Sequence, residues 1–239
     1  MDAATGQGAP GRGAAAKDDP ADRARVRELV VDANDGIIAV AGIGEGFLGA
    51  GASSATAMIA VIAATLAGSI ALAGAKYAEG ANERDAEQAL IDEEERQLAL
   101  SPEEELAELA EHYEDKGLSP GLAAQVAAEL SRNNPLAAHA EAEYGIDVSG
   151  PRIKPWLFAL SSALAFAAGA APIIFAVWLS PRGLRPGAVL VTAAGSLLAT
   201  SFIAGRWGKV PLGRTAVRTI IVGVIALLLS LASGALFDF

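Results

Sequence analysis

The 239-residue chain contains no cysteine, which excludes disulfides and every thiolate metal site. Sulfur is confined to Met1 and Met58, and imidazole to His112 and His139. Any metal held by this chain therefore meets mainly oxygen. Aromatic residues make up only 5%, and no stretch interleaves them with basic residues as a nucleic-acid surface would require. Phosphate loops, nucleophile elbows and zinc-ligand clusters are missing as well. The chain does not read as an enzyme, and no prosthetic group is expected. No signal-peptide core precedes the first long apolar run, so no cleavage is expected either.

What the chain has in excess is apolar residues, at 52%, with a mean hydropathy of +0.37 despite 19% charged residues. These figures are compatible only if the charges are segregated. Between Glu79 and Val148 there are 19 acidic residues against 4 basic ones, a net of −15, and the remainder carries a net of +5. A polyanionic segment repels nucleic acid and attracts cations. The reading is an acidic module inserted in a mildly basic membrane protein.

Residues 1–22 are rich in Gly, Ala and Pro and read as a disordered tail. Arg23, Arg25 and Arg27 form a basic collar, which places the amino terminus in the cytoplasm by the positive-inside rule. The first span, Leu29 to Gly51, is long enough to cross the roughly 30 Å bilayer core at about 1.5 Å per residue. A short GAGASS turn leads to a second span, Ala55 to Ala78. Gly42 and Gly46 form a GxxxG pattern able to join two spans or two subunits closely. Residues 79–150 read as a cytoplasmic helical bundle: a helix continuing out of the second span to Leu98, then three short helices. These start at Ser101-Pro102, Ser119-Pro120 and Asn134-Pro135, each with a capping residue before a proline. Residues 151–239 supply spans three to five, at Trp156–Leu179 (with Pro172 a kink), Val189–Ala204 and Thr219–Phe239. Arg182 and Arg185 lie on the wrong side for the rule, outvoted by Arg206, Lys209, Arg214 and Arg218. The expected fold is all-α and polytopic: five transmembrane helices, residues 23–78 forming a translocation pair, and the acidic bundle between spans two and three.

Two sets of carboxylates carry the chemistry. Asp32, Asp35 and Glu45 lie in the first span, where an anchor would have none, and an acid at membrane depth normally faces protein and works there. Asp32 is read either as a solvated boundary residue or as part of this set. Asp35 and Glu45, with Thr65 and Ser69 opposite, would give a ladder of oxygen sites for a divalent cation, and a protonatable relay. Pairing with Lys76 is the structural alternative. In the acidic helices, Glu94 shares a face with Gln97, Glu105 with Glu108, and His139 with Glu143, by i, i+3 or i, i+4 spacing. Brought together they would surround a metal ion; left apart they form a solvated charged face.

The run DGIIAVAG after the basic collar, GAGASS, NERDAEQ, EEERQL, SPEEELAEL and NPLAAHAEAEYGID together resemble the vacuolar iron transporter family across all but the tail. That resemblance implies a homodimer whose first two spans line a path through the lipid bilayer. It also implies export of Fe²⁺, often with Mn²⁺, from the cytosol in exchange for protons. Asp35 matches the family's intramembrane aspartate, and Glu94, Glu105, Glu108 and Glu143 match its cytoplasmic metal-binding glutamates. Leu72 stands where members carry a methionine, Gln97 where a glutamate is usual, and Glu45 where an apolar residue is common. The expected path is thus harder in ligand character. A bacterial member would sit in the plasma membrane, a eukaryotic one in a vacuolar-type membrane. The competing reading is a membrane-tethered metal buffer or sensor that moves nothing.

Overall fold

The computed structural model describes residues 20–149 and 154–236, and all regular structure among them is helical. The helices are α1 (Pro20–Gly49), α2 (Ser54–Leu100), α3 (Pro102–Asp115), α4 (Pro120–Asn133), α5 (Pro135–Tyr144), α6 (Pro155–Leu179), α7 (Arg185–Trp207) and α8 (Leu212–Leu236), with a 3-10 turn at Arg182–Leu184. Most of the expected tail, the approach at Pro151–Ile153 and the last three residues of the expected fifth span lie outside the described residues. Pro20 and the arginine collar are already helical, so α1 begins earlier than the apolar pattern indicates.

Four helices are long and apolar enough to cross a membrane: α2, α6, the segment Arg182–Trp207 and α8. The chain is a multi-pass membrane protein. Helix α1, with 30 residues, has the length too, but Asp32, Asp35 and Glu45 interrupt its apolar stretch. Helix α6 runs unbroken as helix through Pro172.

The chain divides into two compact units, one up to Leu72 and from Ser161 onward, the other Ala73–Leu160. In the first unit α1 is the hub and packs against α7 and α8. Lipid tails are as apolar as leucine, so association there depends on close packing and hydrogen bonds. Both are present. A side chain on Gly36 would strike the Phe166 backbone, and one on Gly169 the Ala33 backbone, so α1 and α6 touch main chain to main chain. Gly46 meets Gly234 of α8 in the same way. The GxxxG face of α1 is therefore spent inside the chain: Gly42 accepts a hydrogen bond at its carbonyl from the Ser230 hydroxyl. Thr200 Oγ1 donates to Asn34 Oδ1 at 2.5 Å, tying α7 to α1. At one end of this unit Arg25 donates to Ser161 Oγ (3.1 Å), and Arg27 to the Gly208 carbonyl just past the end of α7 (3.0 Å). A cation there also complements the helix dipole. Ile37, Val40, Val61, Ile173 and Leu197 fill the centre.

The second unit holds the acidic helices. Helix α3 packs on α4 and on α5, and α4 on α5, over a small core of Ile91, Leu109, Ala123, Ala127 and Ala140. Leu109 is fully buried, which is worth about 1.5–3 kcal/mol relative to exposure to water. The two expected serine caps are absent. Neither Ser101 nor Ser119 makes a side-chain cap bond, and the Ser101 carbonyl alone receives the amides of Glu104 and Glu105. Asn134 does cap: its Oδ1 accepts from the Ala137 amide at 3.2 Å. Gly145, at φ 69°, closes α5 in the left-handed conformation that glycine adopts without strain.

Candidate metal centre

Glu94 comes from the late turns of α2, Glu105 from the first turn of α3, and His139 with Glu143 from successive turns of α5. Helix α3 restarts at Pro102, only two residues past the end of α2, and the Asn134 cap fixes where α5 begins. The four side chains converge. His139 Nδ1 lies 3.1 Å from Glu94 Oε1, 3.1 Å from Glu143 Oε1 and 3.7 Å from Glu105 Oε2. One ligand atom from each residue falls within 4.8 Å of all the others. An ion with ligand bonds of about 2.0–2.2 Å requires separations of roughly 3–4.4 Å across its shell, so a small inward adjustment closes the set.

The electrostatics favour a cation. Glu94 and His139 are fully buried and Glu105 is nearly so. Neither oxygen of Glu94, nor Oε2 of Glu105, nor Nε2 of His139 has a hydrogen-bond partner. A buried carboxylate without partners is costly unless it is protonated or meets positive charge. Burial first, and the Glu143 carboxylate second, push the Glu94 carboxyl above its ordinary range; burial and Glu108 do the same to Glu105. His139 offsets part of each effect. Three carboxylates and one imidazole nitrogen make a hard, anionic donor set suited to Fe²⁺, Mn²⁺ or Mg²⁺.

The structure thus joins four of the expected residues and sorts the others. Glu108 is exposed and acts on Glu94 and Glu105 through its charge, from the rim. Gln97 donates from Nε2 to Glu93 Oε1 of its own helix at 3.2 Å. Tyr144 was not legible as a participant. It hydrogen-bonds Glu143, and burial with that neighbouring charge pushes its phenol up to about 12. Its only signal in the sequence was adjacency to Glu143.

In the membrane-spanning unit the acids of α1 lie on different faces of the helix. Ten residues at 3.6 per turn put Asp35 and Glu45 roughly 80° apart around α1 and about 15 Å along it. Glu45 is fully buried, and neither of its oxygens has a hydrogen-bond partner. Asp35, expected inside, is exposed on the surface of the chain. Asp32 is buried, not solvated. Thr65 donates to the Val61 carbonyl one turn back at 2.7 Å, which uses its hydroxyl proton within its own helix, while Ser69 Oγ is without a partner. Lys76, the alternative partner for the acids, has its ammonium 3.0 Å from Glu79.

Residues 26–235 match the VIT family. The chain is 30% identical over 215 residues to a vacuolar iron transporter of Acanthamoeba castellanii, covering 89% of this chain and 78% of that protein. It is 28% identical over 207 residues to vacuolar iron transporter 2 of Oryza sativa subsp. japonica, covering 84% and 82%. It is also 28% identical over 206 residues to vacuolar iron transporter 1 of Arabidopsis thaliana, covering 84% and 81%.

Proposed function

The chain belongs to the VIT family, a family of transporters and not of enzymes, and from that premise we propose that it moves Fe²⁺, Mn²⁺ or both out of the cytosol in exchange for protons. The observation that carries this reading is the convergence of Glu94, Glu105, His139 and Glu143, the first three buried, where among the described residues neither Glu94 oxygen nor Glu105 Oε2 has a hydrogen-bond partner. The acidic helices collect the ion there. The ion then passes to Asp35 and onward to Glu45, carboxylates that bind either a cation or a proton and so couple the two movements. Helix α1 supplies the first span, beside the four other membrane-crossing helices.

The working form is a homodimer. Val31, Asp35, Ala39, Ile43 and Phe47 are all exposed on α1, and their i, i+4 spacing makes one ridge along the helix. Lipid accepts the four apolar members but not a carboxylate, which costs a few kcal/mol at membrane depth. A second copy covering this ridge shields Asp35 and lines the path with two of them.

The test is uptake into proteoliposomes under a pH gradient, with Fe²⁺ supplied anaerobically and Mn²⁺ in parallel. Asp35→Ala is expected to abolish uptake while the protein stays folded. Glu94→Gln with Glu105→Gln is expected to lower uptake at least tenfold at micromolar ion and less at saturation, as loss of a capture site should. The rival reading, a tethered buffer or sensor, requires wild-type protein that binds the ions and transports none. Undiminished uptake by Asp35→Ala would remove the intramembrane step.

A further inference from the structure

Where α1 turns into α2 and the 3-10 turn leads into α7, the membrane-spanning unit has a cleft of about 340 Å³, lined by Leu48, Gly51, Ser53, Ser54, Arg182 and Arg185 among others. Two features set it apart from the rest of the surface. The other basic residues described in this unit gather at the opposite end: Arg23, Arg25 and Arg27 open α1, Arg206 and Lys209 lie at and just past the end of α7, and Arg214 and Arg218 begin α8. Among the described residues, Arg182 and Arg185 alone carry positive charge at this end, and neither forms an ion pair with a carboxylate. Arg185 is also oriented. Its Nη1 donates to the Ser54 hydroxyl, while its buried Nε has no hydrogen-bond partner. The cleft further lies at the amino-terminal ends of α2 and α7, where helix dipoles favour negative charge, although Ser53 Oγ already accepts from the Thr56 amide at 3.2 Å.

We propose that this cleft is a binding site for a phosphate-bearing anion, held by the guanidinium groups of Arg182 and Arg185 with the hydroxyl groups of Ser53 and Ser54 beside them. Planar guanidinium groups pair with phosphate oxygens through two parallel bonds, and two arginines match a group with at least two free oxygens. The phosphodiester of an anionic lipid and free inorganic phosphate offer the same chemistry. An anion here also neutralises two charges that otherwise oppose any cation leaving at this end, a consequence that rests on the transport reading; the binding itself does not.

Thermal unfolding of the full chain in a neutral detergent distinguishes the possibilities. Inorganic phosphate, phosphatidylglycerol in mixed micelles and phosphatidylcholine as control are titrated at constant ionic strength. Saturation with the right anion, at about a hundredfold excess over Kd, is expected to raise the midpoint by roughly 5 °C. A response to phosphate identifies the free anion; a response to phosphatidylglycerol alone identifies the lipid. Arg182→Gln, at an exposed side chain that the fold does not need, should cut the affinity at least tenfold, and Arg182→Gln with Arg185→Gln should remove the shift. Arg214→Gln with Arg218→Gln, at the other end, should keep it. No shift with either anion, an equal shift with phosphatidylcholine, or a shift that survives in the Arg182/Arg185 double variant overturns the proposal.

Discussion

At the scale of single residues, the metal centre stores an imbalance that the empty protein must tolerate. Glu94 and Glu105 have carboxyl groups raised above the ordinary value of 4.5 by burial and by neighbouring carboxylates. A carboxyl whose pKa is higher folded than unfolded binds more protons in the folded state between the two values. Its contribution to stability is then complete below about 4.5 and is lost as pH rises through the folded value. The metal-free protein should therefore melt at a higher temperature at pH 5 than at pH 7.5, and Mn²⁺ should restore the difference at pH 7.5. Glu94→Gln should raise the metal-free midpoint at pH 7.5 by a few degrees, reflecting about 1–2 kcal/mol of relieved charge burial, yet abolish the response to Mn²⁺. A lowered metal-free midpoint in that variant would count against the site. The donor types and their helical spacing were legible in the sequence. Which members of each stripe turn inward was not. Glu105 and Glu108 are equivalent by pattern, and only the packing of α3 on α5 buries the first and leaves the second at the rim. Glu45 and Asp35 show the same limit, since a carboxylate on an apolar helix reads alike whether the fold buries it or leaves it exposed.

Single elements decide how well that geometry is held. Helix α5 has only 10 residues and carries two of the four ligands, and a helix this short is marginal without help. Its help is the Asn134 cap and the Gly145 terminus. Asn134→Ala should cost about 1 kcal/mol and weaken Mn²⁺ binding measured by calorimetry, because His139 and Glu143 lose their common frame. Ser101→Ala should leave both nearly unchanged, as its side chain caps nothing. In the sequence the two positions carry the same signal, a capping residue before a proline. They differ because Asn134 places its side-chain oxygen on the third amide after it and Ser101 does not. In the membrane-spanning unit, Gly169→Leu should prevent folding by forcing α6 away from the Ala33 backbone, seen as loss of the monodisperse peak in detergent chromatography. Glycine enrichment marked these helices as close-packing, but not the partners: α1 uses its small residues on α6 and α8.

For the molecule as a whole, the helical segments and their order followed from apolar runs, prolines and glycines, while the proposed association of two copies rests on a surface that only the folded chain displays. Because the natural chain lacks cysteine, a single Ala39→Cys substitution on the exposed ridge of α1 gives an unambiguous reading. Oxidation in native membranes should yield a disulfide-linked pair, whereas Val191→Cys, equally exposed on α7, should not. A cross-link at Val191 and none at Ala39 would place the second copy elsewhere.

The separation of charge between the two units has a practical side. Some seventy residues bearing fifteen excess negative charges will not be dragged through hydrocarbon, so insertion into preformed vesicles should be one-sided, with α3 to α5 left in the bath. A protease added from outside should then trim nearly every molecule, and ions supplied there should reach the intact binding face without any need to sort inverted from upright copies.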